Sequence, residues 1–249
     1  MHPVLARIEG DPAGTKGISI FLVPKYRVNE DGSLGEFNDV HCTGIEHKMG
    51  LKGSATCSMS FGDNGNCIGE LLGEERKGMA IMFQMMNEAR LGMGLQGVST
   101  SSVSYLHALA YCKERIQGKN IKDMMNPDAP NVPIIQHPDV RRMLMWMKTH
   151  TEGLRALVYL CAFCLDKAHA SSGEEVDKWK GIMEFLIPVC KAYGTDMGFR
   201  VTELGIQCFG GYGYCNDYPM NQFMRDLKIA SVYEGTKGIQ ALDLVGRKL

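Results

Sequence analysis

The hydrophobic period of the sequence changes near residue 75, and this change limits the fold more than any other feature. Before it, GISIFLVPKY is a short β-branched and aromatic run, and GSATCSMSFGD alternates small or polar residues with apolar ones, among turns rich in Gly, Asn and Asp. Such runs are typical of short strands. From Lys77 to about Arg115, small and apolar residues recur every three to five positions. This spacing predicts one long helix that packs closely against its neighbours.

The rest of the sequence keeps the helical period. HPDVRRMLMW begins a second long helix, with Pro138 in its first turn, where a missing N–H costs nothing. One face of this helix is predicted to carry Val140, Met143, Leu144, Met147, Thr151, Leu154, Val158 and Cys161. A third helix, beginning at GEEVDKWKG, is expected to kink near Pro188. A shorter helix near Pro219 to Ile229 precedes SVYEGTKGIQ, after which a fifth begins. Because long antiparallel helices with short links form bundles, we predict a mainly α, α+β fold, with part of a β-domain over residues 1–72 and a helical bundle over 76–249.

Charge and composition exclude several classes of function. A net charge of −1 in 249 residues gives no argument for a nucleic-acid partner or an anionic membrane. The nine Cys residues are scattered, as free thiols in a reducing cytosol are, rather than arranged as a disulfide framework. No apolar run approaches the roughly 20 residues that span a bilayer, so we expect no transmembrane segment. The first residues lack the apolar core of a signal peptide, and we expect a cytoplasmic protein.

Metal and hydrolase sites are weakly indicated. Cys161 and Cys164 form a C-x-x-C pair, but they lie in a helical pattern and have no second Cys pair at zinc-site spacing. HCTGIEHK offers two His and one Cys in a turn-rich segment, which is also a weak signal. There is no G-x-S-x-G motif, and the Cys residues lie mostly in apolar contexts, where thiols are inert. We predict no metal. Among the His residues only His137, at a helix start beside Gln136, is a candidate for lining a site, and a structural role is favoured even there.

A glycine-rich stretch, GIQCFGGYGYCNDYP, follows the third helix. Its glycines allow a sharp turn with exposed main-chain N–H groups, which suits the close approach of a phosphate or nucleotide. It is not the dinucleotide fingerprint, because no strand precedes it and the G-x-G-x-x-G spacing is absent. From the residues alone, a plain turn between helices is favoured and a nucleotide site is the alternative.

Glu234 stands in SVYEGTKGIQ between an aromatic residue and a turn. Gly235 gives the backbone freedom next to the carboxylate, and Thr236 suits either a helix cap or a contact with a cofactor. In one interpretation, Glu234 is a first-turn acid that complements the helix dipole, worth roughly 0.3–1 kcal/mol. In the other, it is the base of an enzyme. Residue spacing alone leaves both open.

The order of these motifs resembles a known family. YEGT before an amphipathic helix, preceded by QCFGGYGYCNDYPMNQFMRD, is similar to the C-terminal domain of the acyl-CoA dehydrogenases. GTKGISIFLVPK and HKMGLKGSATCSMSFGD resemble the second half of that family's middle β-domain, and NEARLGMGLQGVSTSSVSYLHALAYCKERIQGK resembles its first long bundle helix. KERIQGK, FLIPVCKAYGTD and YEGTKGIQALDLVGRKL are most similar to the branch that contains 3-methylmercaptopropionyl-CoA dehydrogenases. For such a protein we expect a bacterial source.

The resemblance implies a reaction and a base. The family carries out FAD-dependent α,β-dehydrogenation of an acyl-CoA thioester, which gives a trans-2-enoyl-CoA. Glu234 matches the carboxylate that removes the α-proton while the β-hydride passes to the flavin. Because the α-proton is only weakly acidic, the base must be well placed and the thioester carbonyl polarised.

The resemblance also implies cofactor contacts. Arg115 matches an Arg that contacts the FAD pyrophosphate of the neighbouring subunit, and a guanidinium suits that doubly charged group. The segment here, ERIQGK, is one residue shorter than the family's E-R-x-x-F-G and lacks the Phe. Gln207, Gly210 and Gly211 match a Q-x-x-G-G segment that touches the adenosine-diphosphate half of the cofactor. Thr236 matches a Thr that contacts the flavin.

Further positions are carried over with departures from the family pattern. Two residues beyond the flavin-contacting Thr, the family often has Gln, whereas this sequence has Gly238, so that contact is lost or made by the backbone. Arg90 matches the Arg of a D-x-x-R near the substrate cleft, in which Asn87 replaces the Asp. Tyr233 and Gly235, which flank the base, complete the expected substrate-binding residues.

Partners follow from the same resemblance. It implies a homodimer or a dimer of dimers, with an electron-transfer flavoprotein as the electron acceptor. Two alternatives stay open. One is a catalytically incompetent fragment that acts only as a helical-bundle oligomerisation module, and the other is a flavin-dependent acyl-CoA oxidase, which passes electrons to oxygen.

The resemblance does not extend to a whole family member. The N-terminal helical domain and the first half of the β-domain have no counterpart here, and the last helix is short, which indicates a piece of a longer protein. In the family, the first half of the β-domain cradles the flavin ring and part of the acyl-CoA.

We therefore expect the 249-residue chain by itself to bind FAD weakly and to turn over poorly. The chain has the base and nucleotide contacts but not the main shelf for the flavin ring. Visible absorbance of the purified chain, with flavin counted per polypeptide, checks this. A yellow preparation with one flavin per chain and normal activity would contradict it.

Overall fold

The computed structural model describes residues 1–248, which form two compact units, Met1–Glu88 and Ala89–Leu249. The division falls inside a long helix, and the predicted domain ranges, 1–72 and 76–249, stay predictions. None of the described helices combines the length and the hydropathy that crossing a bilayer requires.

The first unit contains short antiparallel strands. One three-stranded sheet has the order β1-β2-β7, in which β1 and β2 pair along their whole length from His2 opposite Val23 to Arg7 opposite Ile18. Two further pairs, β3 with β4 and β5 with β6, complete the unit. The strands predicted from GISIFLVPKY and GSATCSMSFGD are confirmed as β2 and β6. The strands are β1 His2–Arg7, β2 Ile18–Val23, β3 Tyr26–Val28, β4 Leu34–Phe37, β5 Val40–Ile45, β6 Cys57–Phe61 and β7 Glu70–Leu71.

Helices dominate the rest of the chain, as predicted. Three of them are long, and α2 begins at Pro138, where the sequence placed a first-turn proline. Pro188 lies within α3, which continues through it without interruption. The helices are α1 Gly78–Glu114, α2 Pro138–Ala170, α3 Glu174–Phe209, α4 Gly211–Tyr214, α5 Met220–Lys228 and α6 Lys237–Asp243. Single turns at Ile229–Ser231 and Leu244–Lys248 follow α5 and α6.

The link between α1 and α2 runs between the helix ends that the sequence predicted, near Arg115 and Pro138. It contains an antiparallel pair of short strands, β8 Ile116–Lys119 and β9 Asn131–Pro133, which was not predicted. Pro127, Pro130 and Pro133 lack an N–H and cannot continue a helix, which explains why this link is not helical.

The buried face of α2 agrees with the predicted stripe. Its buried side chains recur at helical spacing, while the predicted Val140 is only half-buried. Around them, apolar residues of α1, α3 and α5 complete the core of the bundle. The buried residues of α2 are Met143, Leu144, Met147, Thr151, Leu154, Val158, Cys161 and Cys164.

Glycines allow the backbones of α1 and α3 to touch. A Cβ added to Gly97 would lie 2.8 Å from the carbonyl carbon of Gly194, and one added to Gly194 would lie 3.3 Å from Cα of Gly94. Real Cβ atoms do not approach a backbone to 2.8 Å. The contact lies about one helical turn from Arg90 on α1 and from Lys191 on α3, so it fixes the separation of these two cations.

We expect Gly97→Ala to destabilise the protein by about 1–3 kcal/mol, because the new methyl group forces the two helices apart. Gly92→Ala is the matched control. Gly92 is exposed on the same helix with no atom within 4 Å of an added Cβ, so alanine there should stabilise by up to about 1 kcal/mol through its higher helix propensity. Urea unfolding measures both changes. Equal stability of the two variants would contradict the close contact.

Candidate active site

The turn that precedes α6 has an unusual backbone. Glu234 has φ 56° and Gly235 has φ 90°, so both lie in the left-handed region. For a residue with a Cβ this conformation costs roughly 1–2 kcal/mol. Such strain persists only where the surroundings impose it, and it is frequent at functional sites. Residues 232–236 are called the Glu234 turn below.

Three helices supply the groups that hold the Glu234 turn. Gln240 of α6 donates from Nε2 to the carbonyl oxygens of Glu234, at 3.1 Å, and Gly235, at 3.2 Å. Lys191 of α3 donates from Nζ to the carbonyl oxygen of Gly235. Arg90 of α1 donates from Nε to the carbonyl oxygen of Glu234, at 3.4 Å. Two consecutive carbonyl oxygens are thus fixed by side chains from three different helices.

Gly235 is also required for steric reasons. A Cβ at this position would lie 2.7 Å from Nε2 of Gln240 and 3.2 Å from Cγ2 of Ile239. Since φ is strongly positive as well, any larger residue would disturb the hydrogen bonds of Gln240 to the turn.

The Glu234 side chain is half-buried, and its Oε2 atom is fully buried without a hydrogen-bond partner among the described residues. Burial removes water from a carboxylate oxygen and costs free energy unless a hydrogen bond replaces it. Unsatisfied buried polar atoms are uncommon in folded proteins, so each asks for a functional explanation.

Arg90 forms a buried ion pair with Asp243, the last residue of α6. The distance from Nη1 to Oδ2 is 2.7 Å, and the two side chains are 3% and 6% exposed. In the family pattern, the acid belonging to this Arg stands where the sequence has Asn87, whereas here Asp243 supplies a carboxylate. The sequence analysis missed Asp243, although it is an isolated acid in the apolar segment IQALDLVG.

Lys191 is fully buried although it carries an ammonium group. Burial, and then the charge of Arg90, lower the pKa of Lys191, while the charge of Glu234 acts in the opposite direction. Lysine is almost never fully buried unless it is paired. The sequence analysis also missed this residue, whose signal was a single Lys within the apolar run FLIPVCKAYG.

Tyr233 lies beside Glu234 and is anchored to α1. Its hydroxyl donates to Oε1 of Gln96 at 2.7 Å. Burial, assisted by the charge of Glu234, raises the pKa of Tyr233 against the opposing effect of the bond to Gln96. The phenol therefore stays protonated at neutral pH and keeps this hydrogen bond.

A second group of predicted residues lies around a cavity of about 390 Å³, called the Arg115 cavity below. His137, singled out in the sequence, lines it and donates from Nε2 to the carbonyl oxygen of Gln117 at 2.7 Å. The Arg115 guanidinium lies 5.7 Å from the ring centroid of Tyr212. The lining residues are Tyr111, Arg115, Gln117, Gly118, Ile134, His137, Val140, Gln207, Cys208, Phe209 and Gly210.

The Arg115 cavity combines an aromatic wall with an open backbone. Tyr111 and Phe209 stack with their ring centroids 4.1 Å apart. Gly210 ends α3 with φ 59°, and no atom lies within 4 Å of a Cβ added to Gly210 or Gly211. A cation, flat aromatic rings and exposed glycine backbone suit a phosphate-bearing aromatic ligand such as a nucleotide.

The predicted site residues thus fall into two places. Arg115, Gln207 and Gly210 line the Arg115 cavity. Thr236 and Gly238 lie at the start of α6, next to the Glu234 turn, and both are exposed. Lys191 and Gln207 stand on the same helix, roughly 24 Å apart along its axis. The two places are therefore separate on one chain.

A long-helix bundle thus carries a carboxylate on a strained turn and, at a separate place, a cavity bordered by Arg115 and open glycine backbone. The family model for the acyl-CoA dehydrogenase C-terminal domain matches residues 76–249. The chain therefore belongs to the acyl-CoA dehydrogenase family, and the predicted fold, a mainly α chain with a helical bundle, is confirmed.

Individual relatives agree with this assignment. The chain is similar to a butyryl-CoA dehydrogenase from Syntrophomonas wolfei, 46% identical over 254 residues, covering 100% of this chain and 41% of the relative. It is 43% identical over 249 residues to a 3-methylmercaptopropionyl-CoA dehydrogenase from Ruegeria pomeroyi, with the same coverage. A crystal structure of an acyl-CoA dehydrogenase complexed with FAD from Bacillus anthracis matches with a TM-score of 0.76 and 25% identity, covering 98% of this chain and 38% of that one. The chain thus spans about two fifths of the length of these curated relatives.

We expect Asp243→Asn to destabilise the protein by about 3–5 kcal/mol, because it leaves Arg90 charged and buried without a carboxylate. Asp196→Asn is the control. Asp196 also lies 2.7 Å from a cation, Lys237, but that pair is 35% and 57% exposed, so its loss should cost at most about 1 kcal/mol. Chemical unfolding of both variants measures the difference. Similar losses of stability in the two variants would contradict the expectation that burial makes the Arg90–Asp243 pair more important than the exposed pair.

Proposed function

We propose that the protein containing this chain is an FAD-dependent acyl-CoA dehydrogenase, in which Glu234 is the base. The observation that carries the proposal is the Glu234 turn. Its backbone is strained and held by three helices, and one oxygen of its carboxylate is buried with no hydrogen-bond partner within residues 1–248. Family membership supports the same reaction class.

The proposed reaction removes two hydrogens from adjacent carbons of the acyl chain. Glu234 takes the α-proton on its carboxylate, the β-hydrogen leaves with its electron pair, and a trans double bond forms between the two carbons. FAD supplies the hydride acceptor. Since the α-proton is weakly acidic, a base fixed in one position raises the rate by avoiding the entropy cost of finding it. The hydrogen bonds from Arg90, Lys191 and Gln240 to the backbone provide that fixation.

Residues around the base are proposed to border the acyl-CoA. Tyr233 and Gly235 flank Glu234, and the bond of Tyr233 to Gln96 orients its ring. Arg90 acts from a buried position, through the carbonyl oxygen of Glu234. Asn87, three residues before it on α1, stays in the proposal on the family resemblance.

We propose that FAD contacts residues of both the Arg115 cavity and the Glu234 turn. Arg115, Gln207, Gly210 and Gly211 suit the pyrophosphate and the adenosine part, because they offer a guanidinium, an amide and glycine backbone without obstructing side chains. Thr236 and the backbone of Gly238 suit the flavin near the base.

The distance between the two places supports an assembly of two chains. Because Lys191 and Gln207 are roughly 24 Å apart on α3, we propose that the Arg115 cavity of one chain serves the flavin beside the base of its partner. This implies a homodimer, or a dimer of two such dimers. An electron-transfer flavoprotein is the proposed acceptor of the electrons.

One alternative is weakened by the structure of the turn. A module used only for oligomerisation has no need for a strained carboxylate with an unsatisfied buried oxygen, since that arrangement only costs stability. An acyl-CoA oxidase would use the same base, and it differs in the destination of the electrons.

We expect Glu234→Gln to lower the rate of flavin reduction by butyryl-CoA by at least about 100-fold, the lower range of general-base contributions. Gln has the shape of Glu but cannot accept the proton as a carboxylate does. Stopped-flow bleaching of the flavin in the complete FAD-loaded protein measures the rate. Glu175→Gln, an exposed acid in the first turn of α3, is the control and should keep the rate.

A normal rate of flavin reduction in the Glu234→Gln variant would contradict the role of Glu234 as the base. Absence of flavin reduction in the unaltered protein would contradict the proposed enzymatic activity. Hydrogen peroxide formed in proportion to turnover would favour the oxidase. Its absence, with electrons passing to an added electron-transfer flavoprotein, would favour the dehydrogenase.

A further inference from the structure

We propose that Lys191 is a positioning residue for the base, in that its buried ammonium group fixes the peptide that carries Glu234 and supplies a positive charge beside it. The inference rests on the proposed function of Glu234 and deepens it. It assigns a mechanistic role to a residue of α3 that lies 43 positions before the base in the sequence.

The contact of Lys191 is unusual for a buried lysine. The side chain is 0% exposed, and its hydrogen bond goes to the carbonyl oxygen of Gly235 rather than to a carboxylate. Taking an ammonium group out of water costs several kcal/mol unless it is well paired. An apolar residue of similar length would avoid this cost, so the charge has a use other than packing.

Two cations and two acids lie around the Glu234 turn. Arg90 and Lys191 are cations, and Asp243 and Glu234 are acids. Arg90 is bound to Asp243 at 2.7 Å, and Arg247 lies 3.5 Å from the other oxygen of the same carboxylate. Lys191 forms no ion pair of its own among the described residues, so its charge is the one that acts on the carboxylate of Glu234.

Every element packed around Lys191 contributes a polar group. Arg90 faces it from α1, the carbonyl oxygen of Gly235 and the acid of Glu234 from the turn, and Asp243 from α6 through its bond to Arg90. Tyr233, also on the turn, is held protonated against Gln96.

The position of Lys191 is fixed by the backbone contact of α1 with α3. Gly194, one turn beyond Lys191, lies against Gly94. This contact leaves little freedom for α3 to move relative to α1. The packed helices therefore hold the ammonium group in a fixed position beside the turn, as the precise placement of a base requires.

The test uses Lys191→Met in the complete FAD-loaded protein, with Lys180→Met as the control. Met keeps the length and apolar stem but loses the charge and the donor, while Lys180 is an exposed residue of the same helix. We expect kcat for butyryl-CoA to fall by about 100-fold, as for a small misplacement of a catalytic group. KM should change far less, and the acidic limb of the pH–rate profile should move to higher pH. The control should match the unaltered protein.

A second readout does not depend on activity. Hydrogen exchange of the peptide covering residues 229–243 should speed up in Lys191→Met and not in Lys180→Met, because a bond that holds the turn is lost. If Lys191→Met does not fold, Lys191→Gln serves for both readouts, since it keeps a donor without the charge. In Lys191→Gln, the hydrogen exchange of this peptide should be only moderately faster than in the unaltered protein, and the acidic limb of the pH–rate profile should still be shifted to higher pH.

An unchanged kcat with unchanged exchange overturns the inference. A lower kcat with an unmoved acidic limb overturns the role of the charge and leaves only a structural one. Failure of the proposed function is separate from both, because it appears as an inactive unaltered protein. In that case, unchanged hydrogen exchange in Lys191→Met still overturns the proposal that Lys191 holds the Glu234 turn, and faster exchange still supports it.

Discussion

The contact between the backbones of α1 and α3 sets the geometry on which the candidate active site depends. Gly94 and Gly97 on one helix and Gly194 on the other have no side chains to separate them. The two helices therefore approach closely enough for Arg90 and Lys191 to reach the same turn. Larger residues would move both cations away from the carbonyl oxygens they hold. Packing and function thus share one constraint in this part of the bundle.

The groups around the Glu234 turn are costly by themselves. A left-handed glutamate, a buried lysine and two buried side-chain oxygens without partners, those of Glu234 and Gln240, each oppose folding. The apolar clusters of the bundle and the Arg90–Asp243 pair offset this cost. An arrangement of this kind is expected where a residue has to stay in one orientation for a reaction. The site is rigid because three helices share its hydrogen bonds.

Much of the fold was predictable because the period of the apolar residues is a local property. The apolar stripes predicted the three long helices and the buried face of α2. The order of the motifs also indicated the family, which the match over residues 76–249 confirmed. The strands in the link between α1 and α2 were not predicted. Its strand pair is short and contains few apolar residues, so it leaves no periodic signal.

The sequence by itself determined which residue types and helix faces are available, and it singled out Glu234 through its neighbours in the chain. Only the tertiary structure decided what holds that residue. Lys191 and Arg90 are 43 and 144 positions away from it in the sequence. No periodic pattern indicates that they meet at one turn, because the pattern of a helix shows which face is buried but not what that face contacts. The partners of the base depend on how the helices pack, and that is a property of the whole bundle.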